Sequence, residues 1–448
     1  MEDGEKLTET DLIVLGGLVV GSAEGPFYAP GYVAVTDGEI VAVGSGKPNG
    51  LTAQKKVVKK NSVIIPGLVS AHDHMYGVLA HGIPVKTNVA SFWDFLNLFW
   101  WPYVEDRLDK KLIEAAVSYA VVERLKTGTT LIADILEAPK AIPGALDVEA
   151  QVLKSAGIRG VLSFEATERL GPDNGLLGLK ENNDFIKKMN KRNGLVKGMH
   201  CIHTTFTCSP EFIKKCREQA KESGAGIHIH FEEGLYETEH ALRKYGKLPA
   251  FVYEELGFWG SDVLASQCVK TTVEELDVMA GHGVKISHQP LSNGEVGGGI
   301  APVPEMLHRN ITVCLGTDGF IVDMFEVMRN TWLLHKAAKE NASVMPAATV
   351  FKMATENGAS TLGVKSGRLE KGYKADIVVV KNMFPTPITT DNVLTQLVVY
   401  GSGRWVDTVV VDGRIVVENG KILTFDERRA KQDCLKAAEK LWEGVADV

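Results

Sequence analysis

Residues 63–74 read VIIPGLVSAHDH, an apolar run suited to a fully buried strand that ends in two histidines one residue apart. Seven more such runs follow: TTLIADI (129–135), RGVLSFEA (159–166), VKGMHCIHTT (196–205), GIHIHFEE (226–233), DVLASQC (262–268), VKISHQP (284–290) and TVCLGTD (312–318). Longer amphipathic stretches separate them, among them 110–126, 147–156, 210–223 and 273–282. Ser209 before Pro210 offers an N-cap followed by proline at the first helical position. About eight strands alternating with helices predict an α/β fold, a (β/α)8 TIM barrel. An open doubly wound sheet is the alternative, but its first strand should run into a glycine-rich phosphate loop, and His72-Asp73-His74 stands there instead.

Outward from this core the period changes to short β-rich runs. They cover 12–20, 32–35, 39–43 and 56–64 at one end and 372–381, 405–411 and 414–417 at the other, with Asp37-Gly38 and Asp412-Gly413 as turn dipeptides. A helix is expected over 427–442. The expected division is a first β-sandwich segment at 1–66, the barrel at 67–365, and a second sandwich segment with the C-terminal helix at 366–448. The two ends would join into one small composite β-sandwich domain.

The 448 residues carry 49 Lys plus Arg against 56 Asp plus Glu, a net charge of −7, with 45% hydrophobic residues. That balance excludes a disordered chain and a polybasic nucleic-acid binder. The apolar stretch 12–20 is far shorter than the roughly 18–20 residues of a membrane span, and the acidic run before it is unlike an export signal, so a cytoplasmic location is expected. The six cysteines form no C-x-x-C pair and read as reduced, packed thiols.

His72 and His74 leave one face of a strand, and two neutral imidazoles there suit a cation such as zinc. Alone, an H-x-H pair is equally compatible with two hydrogen-bonded polar histidines. Repetition decides the matter: His203 closes the fourth run, His228 and His230 the fifth, and Asp318 the eighth, and the C-terminal ends of barrel strands carry chemistry. Two histidines from the first strand, one from the fifth and Asp318 would hold one metal ion with a position left for water. Glu233, three residues after His230, is placed to move a proton to and from that water. The HExxH and P-C-x-x-C zinc signatures are absent, and the fourth strand lacks the lysine of a carboxylated two-metal site, so one ion per chain is expected.

The stretches PGLVSAHDH, HCIHTTFTCSPE, GIHIHFEE, LGTDG and SGRLEKGYKADIVVV resemble the amidohydrolase superfamily in its single-metal aminohydrolase and chlorohydrolase branch. FWDFLNLFWWPYVEDRLD, LGTDGFIVDMFEVMR and FPTPITTDN are similar to aminohydrolases associated with selenium and purine metabolism. The resemblance implies that His72, His74, His230 and Asp318 bind zinc, or iron in some relatives. It further implies that Glu233 shuttles the proton, that His203 meets the substrate ring, and that the subunits form a homo-oligomer. His228 would then face away or pack.

One position departs from that pattern. The sixth strand should end in a histidine that steadies the tetrahedral intermediate, yet Gln267 stands there, able to hydrogen-bond but not to carry a proton. Nearby candidates are the aromatic cluster around Trp100, which offers a stacking wall for a flat ring, Arg169 for a substrate carbonyl or carboxylate, and Asn293 in a glycine-rich loop. Gln267, with Glu233 and Asp318, is counted in the catalytic set. The function expected is metal-dependent hydrolytic deamination of an amino-substituted purine, pterin or pyrimidine-like ring. The alternatives are another leaving group (chloride, alkylamine, ring amide) on the same site, or a metal-bearing scaffold of weak activity.

Overall fold

The computed structural model describes residues 8–191 and 194–445; the acidic run at the start falls outside them. The eight barrel strands are β1 (Leu68–Asp73), β2 (Thr129–Leu136), β3 (Arg159–Phe164), β4 (Val196–Gly198 and His200–Ile202), β5 (Ile227–Phe231), β6 (Val263–Gln267), β7 (Lys285–His288) and β8 (Val313–Leu315). All are parallel to their neighbours. The fourth strand is broken at Met199, so the ladder divides into one arc of β1–β3 with the first half of β4 and another running from its second half to β8. Ala166 bridges Ile202 between the arcs, and Thr317 N–H donates to His72 O at 3.0 Å where β8 meets β1.

Parallel strands covered on both faces read as nearly continuous apolar runs, and β1, β2 and β3 are buried along their whole length. Val69, Ala71, Leu131, Ala133, Leu264 and Cys314 fill the barrel interior, closed at the base by Ala359 and Leu362. Strict alternation from Val69 and Ala71 would aim Asp73 inward. The β1–β2 register instead shifts between Ser70 and Asp73, and a shift of this kind turns the pleat over. His72 and His74 thereby face the site, while Asp73 meets Arg124 of the helix Lys110–Lys126.

Strands from both chain ends share one nine-stranded sheet. Thr8–Val20 lies parallel to Leu51–Pro66, whose end pairs antiparallel with Ile377–Lys381 from the far end of the chain. Both expected turn dipeptides join hairpins, and their residues have positive φ: Asp37 51° and Gly38 75°, Asp412 51° and Gly413 77°. That backbone matches the right-handed twist of paired strands. The sheet encloses its own core, which includes Leu12, Val33, Ile64, Ile377 and Val410. Arg159, at the foot of β3, ties sheet to barrel through Asp376 at 2.7 Å and Asp412 at 2.6 Å. The helix Glu427–Leu441 packs on Lys110–Lys126, with Lys440–Asp109 at 2.8 Å and Lys126–Glu427 at 2.6 Å. Among the described residues no helix is long and apolar enough to cross a membrane, and all six cysteines are free and buried.

Candidate active site

The C-terminal ends of β1, β5 and β8 bring His72, His74, His230 and Asp318 together, one potential ligand atom from each, all within 4.8 Å of one another. His72 Nε2 lies 2.9 Å and His74 Nε2 3.3 Å from Asp318 Oδ1. The outer contacts settle which nitrogens are bare. His74 Nδ1 faces the Ile135 carbonyl at 2.7 Å and His230 Nδ1 faces Glu165 Oε1 at 2.9 Å; both partners only accept, so each Nδ1 carries the proton. The two Nε2 lone pairs then point at each other across 3.2 Å, a repulsive arrangement that a cation between them relieves. Burial lowers both imidazoles, His74 to about 4, which keeps them neutral as ligands. Burial would raise the Asp318 carboxyl, but its contact with His72, hydrogen-bonded at 2.9 Å, outweighs that and holds the group below the usual range. Three neutral imidazoles and one carboxylate fit a single divalent metal ion.

The polar surroundings fix these ligands. His228 does not turn away: its Nε2 lies 3.1 Å from His72 Nδ1. Asp318 Oδ2 accepts from Gln267 Nε2 at 2.9 Å and from the Ser292 hydroxyl. Glu232, Gln267, Cys268 and Asp318 all have positive φ, a region that non-glycine residues rarely visit and that clusters at functional rims. Gly319 follows Asp318 at φ 73°, where a Cβ would come within 2.2 Å of His74 O, so only glycine fits. Behind the ligands, Thr317 Oγ1 donates to Asp73 Oδ2 at 2.8 Å, and Arg124 pairs with both oxygens of Asp73.

A cavity of about 790 Å³ opens over the cluster, and Glu233, His203 and Trp100 line it. Burial, with Asp318 and Glu165 adding to it, pushes the Glu233 carboxyl well above the usual range. His203 Nδ1 pairs with Thr207 Oγ1 at 3.0 Å, and its Nε2 lies 3.8 Å from Glu165 Oε1. Trp100 stacks on Phe95 at 5.2 Å, and Phe92, Leu96 and Trp101 form the buried side of the same aromatic cluster. Of the residues expected to meet the substrate, Arg169 and Asn293 lie off the cavity wall. Arg169 binds Glu137 and Asp106 with its guanidinium over the Trp101 ring, and Asn293 is fully buried with neither amide atom hydrogen-bonded. At the end of β7, His288 Nε2 lies 3.2 Å from His335 Nε2.

The wall also holds residues that the sequence reading passed over: His81, Glu105, Glu137, Glu165, Ser292 and Glu295. Glu137 and Glu165 come directly after β2 and β3, so an acidic residue at a barrel strand's C-terminal end was the available signal. Glu105 opens a short 3-10 helix, Glu105–Arg107, and His81 caps another, Met75–Ala80, and neither carries such a marker.

The Amidohydrolase family model matches residues 63–416. The 5'-deoxyadenosine deaminase of Methanosarcina mazei is 34% identical over 416 residues, 92% of this chain and 93% of that protein. The 5-methylthioadenosine/S-adenosylhomocysteine deaminase of Syntrophomonas wolfei is 33% identical over 430 residues, 94% and 96% of the two chains. Among solved structures, an adenosine deaminase from Xanthomonas campestris with bound zinc superposes with a TM-score of 0.86 at 23% identity, covering 97% of this chain and 99% of that one. Atrazine chlorohydrolase from Arthrobacter aurescens, complexed with zinc, gives a TM-score of 0.84 at 22% identity over 95% and 100%. At these identities the two structures speak for the fold.

Proposed function

This chain belongs to the amidohydrolase family, and on that premise we propose that it hydrolytically deaminates an amino-substituted nitrogen heterocycle of the adenosine-nucleoside type. The observation that carries the reading is the convergence of three neutral imidazoles and Asp318 beneath a cavity that Glu233 and an aromatic wall share. The names of the relatives, deaminases of 5'-deoxyadenosine and of 5-methylthioadenosine or S-adenosylhomocysteine, support the ring and the leaving group.

His72, His74, His230 and Asp318 would hold the ion, and zinc is the assignment its donor set favours over iron. When bound, a divalent ion supplies the Lewis acidity that makes water a nucleophile at neutral pH. Glu233 takes a proton from that water and delivers it to the ring nitrogen beside the carbon under attack. As the tetrahedral carbon collapses, Glu233 passes the hydroxyl proton to the amino nitrogen, which leaves as ammonia. Its raised carboxyl favours the steps in which it gives the proton back. His203 and Trp100 hold the ring. With Gln267 and Ser292 both donating to Asp318 Oδ2, we assign Asp318 to ligation alone and Gln267 to positioning it, which reads the glutamine as an adaptation.

The test is ammonia release from 5'-deoxyadenosine and 5'-methylthioadenosine by zinc-loaded protein. Turnover is expected in the parent, with a loss of about 10² to 10⁴-fold in Glu233→Gln. No release from either nucleoside, or unchanged turnover in Glu233→Gln, overturns the proposal.

A further inference from the structure

Glu233 has a proton to move, yet its side chain makes no hydrogen bond among the described residues. Its aim is therefore set by the backbone that leads to it. β5 ends at Phe231, and Glu232 then takes a left-handed turn at φ 47°, a conformation costly to any residue with a side chain. Both polar groups of the Glu232 backbone are pinned there. The carbonyl accepts from Val269 N–H at 3.0 Å and Lys270 N–H at 2.9 Å, and the N–H donates to Glu237 Oε2 at 2.7 Å.

Glu237 stands off the cavity wall, buried in the first turn of the helix Leu235–Tyr245. An acidic residue there that reaches back to an N–H ahead of the helix is ordinary capping. Capping does not account for its other oxygen. Oε1 accepts from Thr205 N–H at 3.2 Å and from Thr205 Oγ1 at 2.9 Å, across 32 residues of chain. Thr205 lies on the loop after β4, two residues beyond His203, as Glu232 lies one residue before Glu233. One carboxylate thus joins the loop that carries the ring-binding imidazole to the turn that carries the proton-transfer carboxylate. Each of its oxygens meets an N–H donor, so a glutamine, with a single accepting atom, would keep one link and lose the other.

We propose that Glu237 is a positioning residue for the reaction: by holding Glu232 and Thr205 together it fixes Glu233 relative to His203, so that proton transfer is aimed at the ring His203 holds. The proposal rests on the deamination reading for the reaction it serves. Glu237 touches neither the metal ligands nor the cavity, and its effect passes through the two residues it places. A misplacement of about 1 Å at a reacting group costs about 10²-fold in rate.

The test is kcat and KM for 5'-deoxyadenosine, expressed per bound zinc, in full-length Glu237→Gln, Thr205→Val and Thr205→Ser. Glu237→Gln is expected to lower kcat about 10²-fold while zinc content stays at the parent level. Thr205→Val spares the Glu232 link and the helix cap, so it folds even where Glu237→Gln does not; it should lower kcat/KM about tenfold, the worth of one hydrogen bond to a charged acceptor, and Thr205→Ser should recover that loss. In a Glu233→Gln background, Glu237→Gln should cost less than about tenfold more, because residues that act as a unit are not additive. The full loss in that background, as a merely structural role gives, overturns the proposal, and so does Thr205→Val within about threefold of the parent. If the parent releases no ammonia, the deamination reading fails and binding decides the link to His203. Thr205→Val should then shrink the shift in Tm that 5'-deoxyadenosine produces and Thr205→Ser preserve it, whereas equal shifts refute the proposal.

Discussion

Replacing Gln267 by methionine removes one N–H donor from Asp318 and changes little else. The side chains are similar in length, and the left-handed backbone at φ 76° strains both residues alike, so the backbone penalty cancels. What is lost is the 2.9 Å hydrogen bond from Gln267 Nε2 to Asp318 Oδ2. A bond to a charged acceptor contributes about 1.5–3 kcal/mol, or roughly 10- to 100-fold in an equilibrium constant. Ser292 still donates to the same oxygen, so the lower end is expected: about a tenfold weaker zinc Kd, measured by competition with a chelating chromophore. Ser292→Ala should weaken zinc similarly. Because both donors serve one atom, the double variant should depart from additivity by at least about 0.5 kcal/mol. Gln267→His, with a shorter reach, should also lower turnover. The positioning role is wrong if Gln267→Met leaves the zinc Kd within threefold of the parent, or if Gln267→His raises turnover.

Three further outcomes follow from the buried polar groups. Glu165→Gln keeps an acceptor for His230 Nδ1 at the 2.9 Å contact but removes its charge, and the zinc Kd should rise about tenfold, as with other partners of metal-ligating histidines; an unchanged cobalt(II) absorption spectrum would argue against this role. Arg124→Met leaves Asp73, fully buried, without its counter-charge, and urea unfolding should show a loss of about 3–5 kcal/mol, so a loss under 1 kcal/mol would contradict it. Burial, with Asp73 second, raises the Asp134 carboxyl to about 7. Between its unfolded value of about 4 and that point, the folded state keeps a proton that the unfolded chain releases. Stability therefore falls as pH rises through this window and levels off above it, and Asp134→Asn should flatten the fall in Tm between pH 5 and pH 8.

The parts of the fold that could be read ahead are those governed by local period and by turn chemistry. The helices 110–126 and 210–223 fall where expected, and Asp37-Gly38 and Asp412-Gly413 turn the hairpins, because a cap, a proline or a Gly-containing dipeptide acts within a few residues of itself. The zinc-type cluster was readable for a related reason: H-x-H, HIHFEE and LGTD each sit at a strand end, and the barrel delivers strand ends to one rim. The contacts that decide what each side chain does are long-range and left no such trace. Arg169 looked like a substrate-binding cation because it follows FEATE at the third strand's end, but Asp106 and Glu137 reach it from 63 and 32 residues away. The register shift before Asp73 is equally silent, since VSAHDH fits an unbroken strand as well. Yet that shift lets one short segment aim two imidazoles at the metal and one carboxylate at Arg124. Thr317, next to Asp318, bonds the same Asp73, so the segments bearing His72, His74 and Asp318 are joined behind the site before any ion arrives. Preorganisation of that kind places the energetic burden on Arg124 and Asp73 rather than on the ligands, and it explains why the residues hardest to read from sequence are those that hold the readable ones in place.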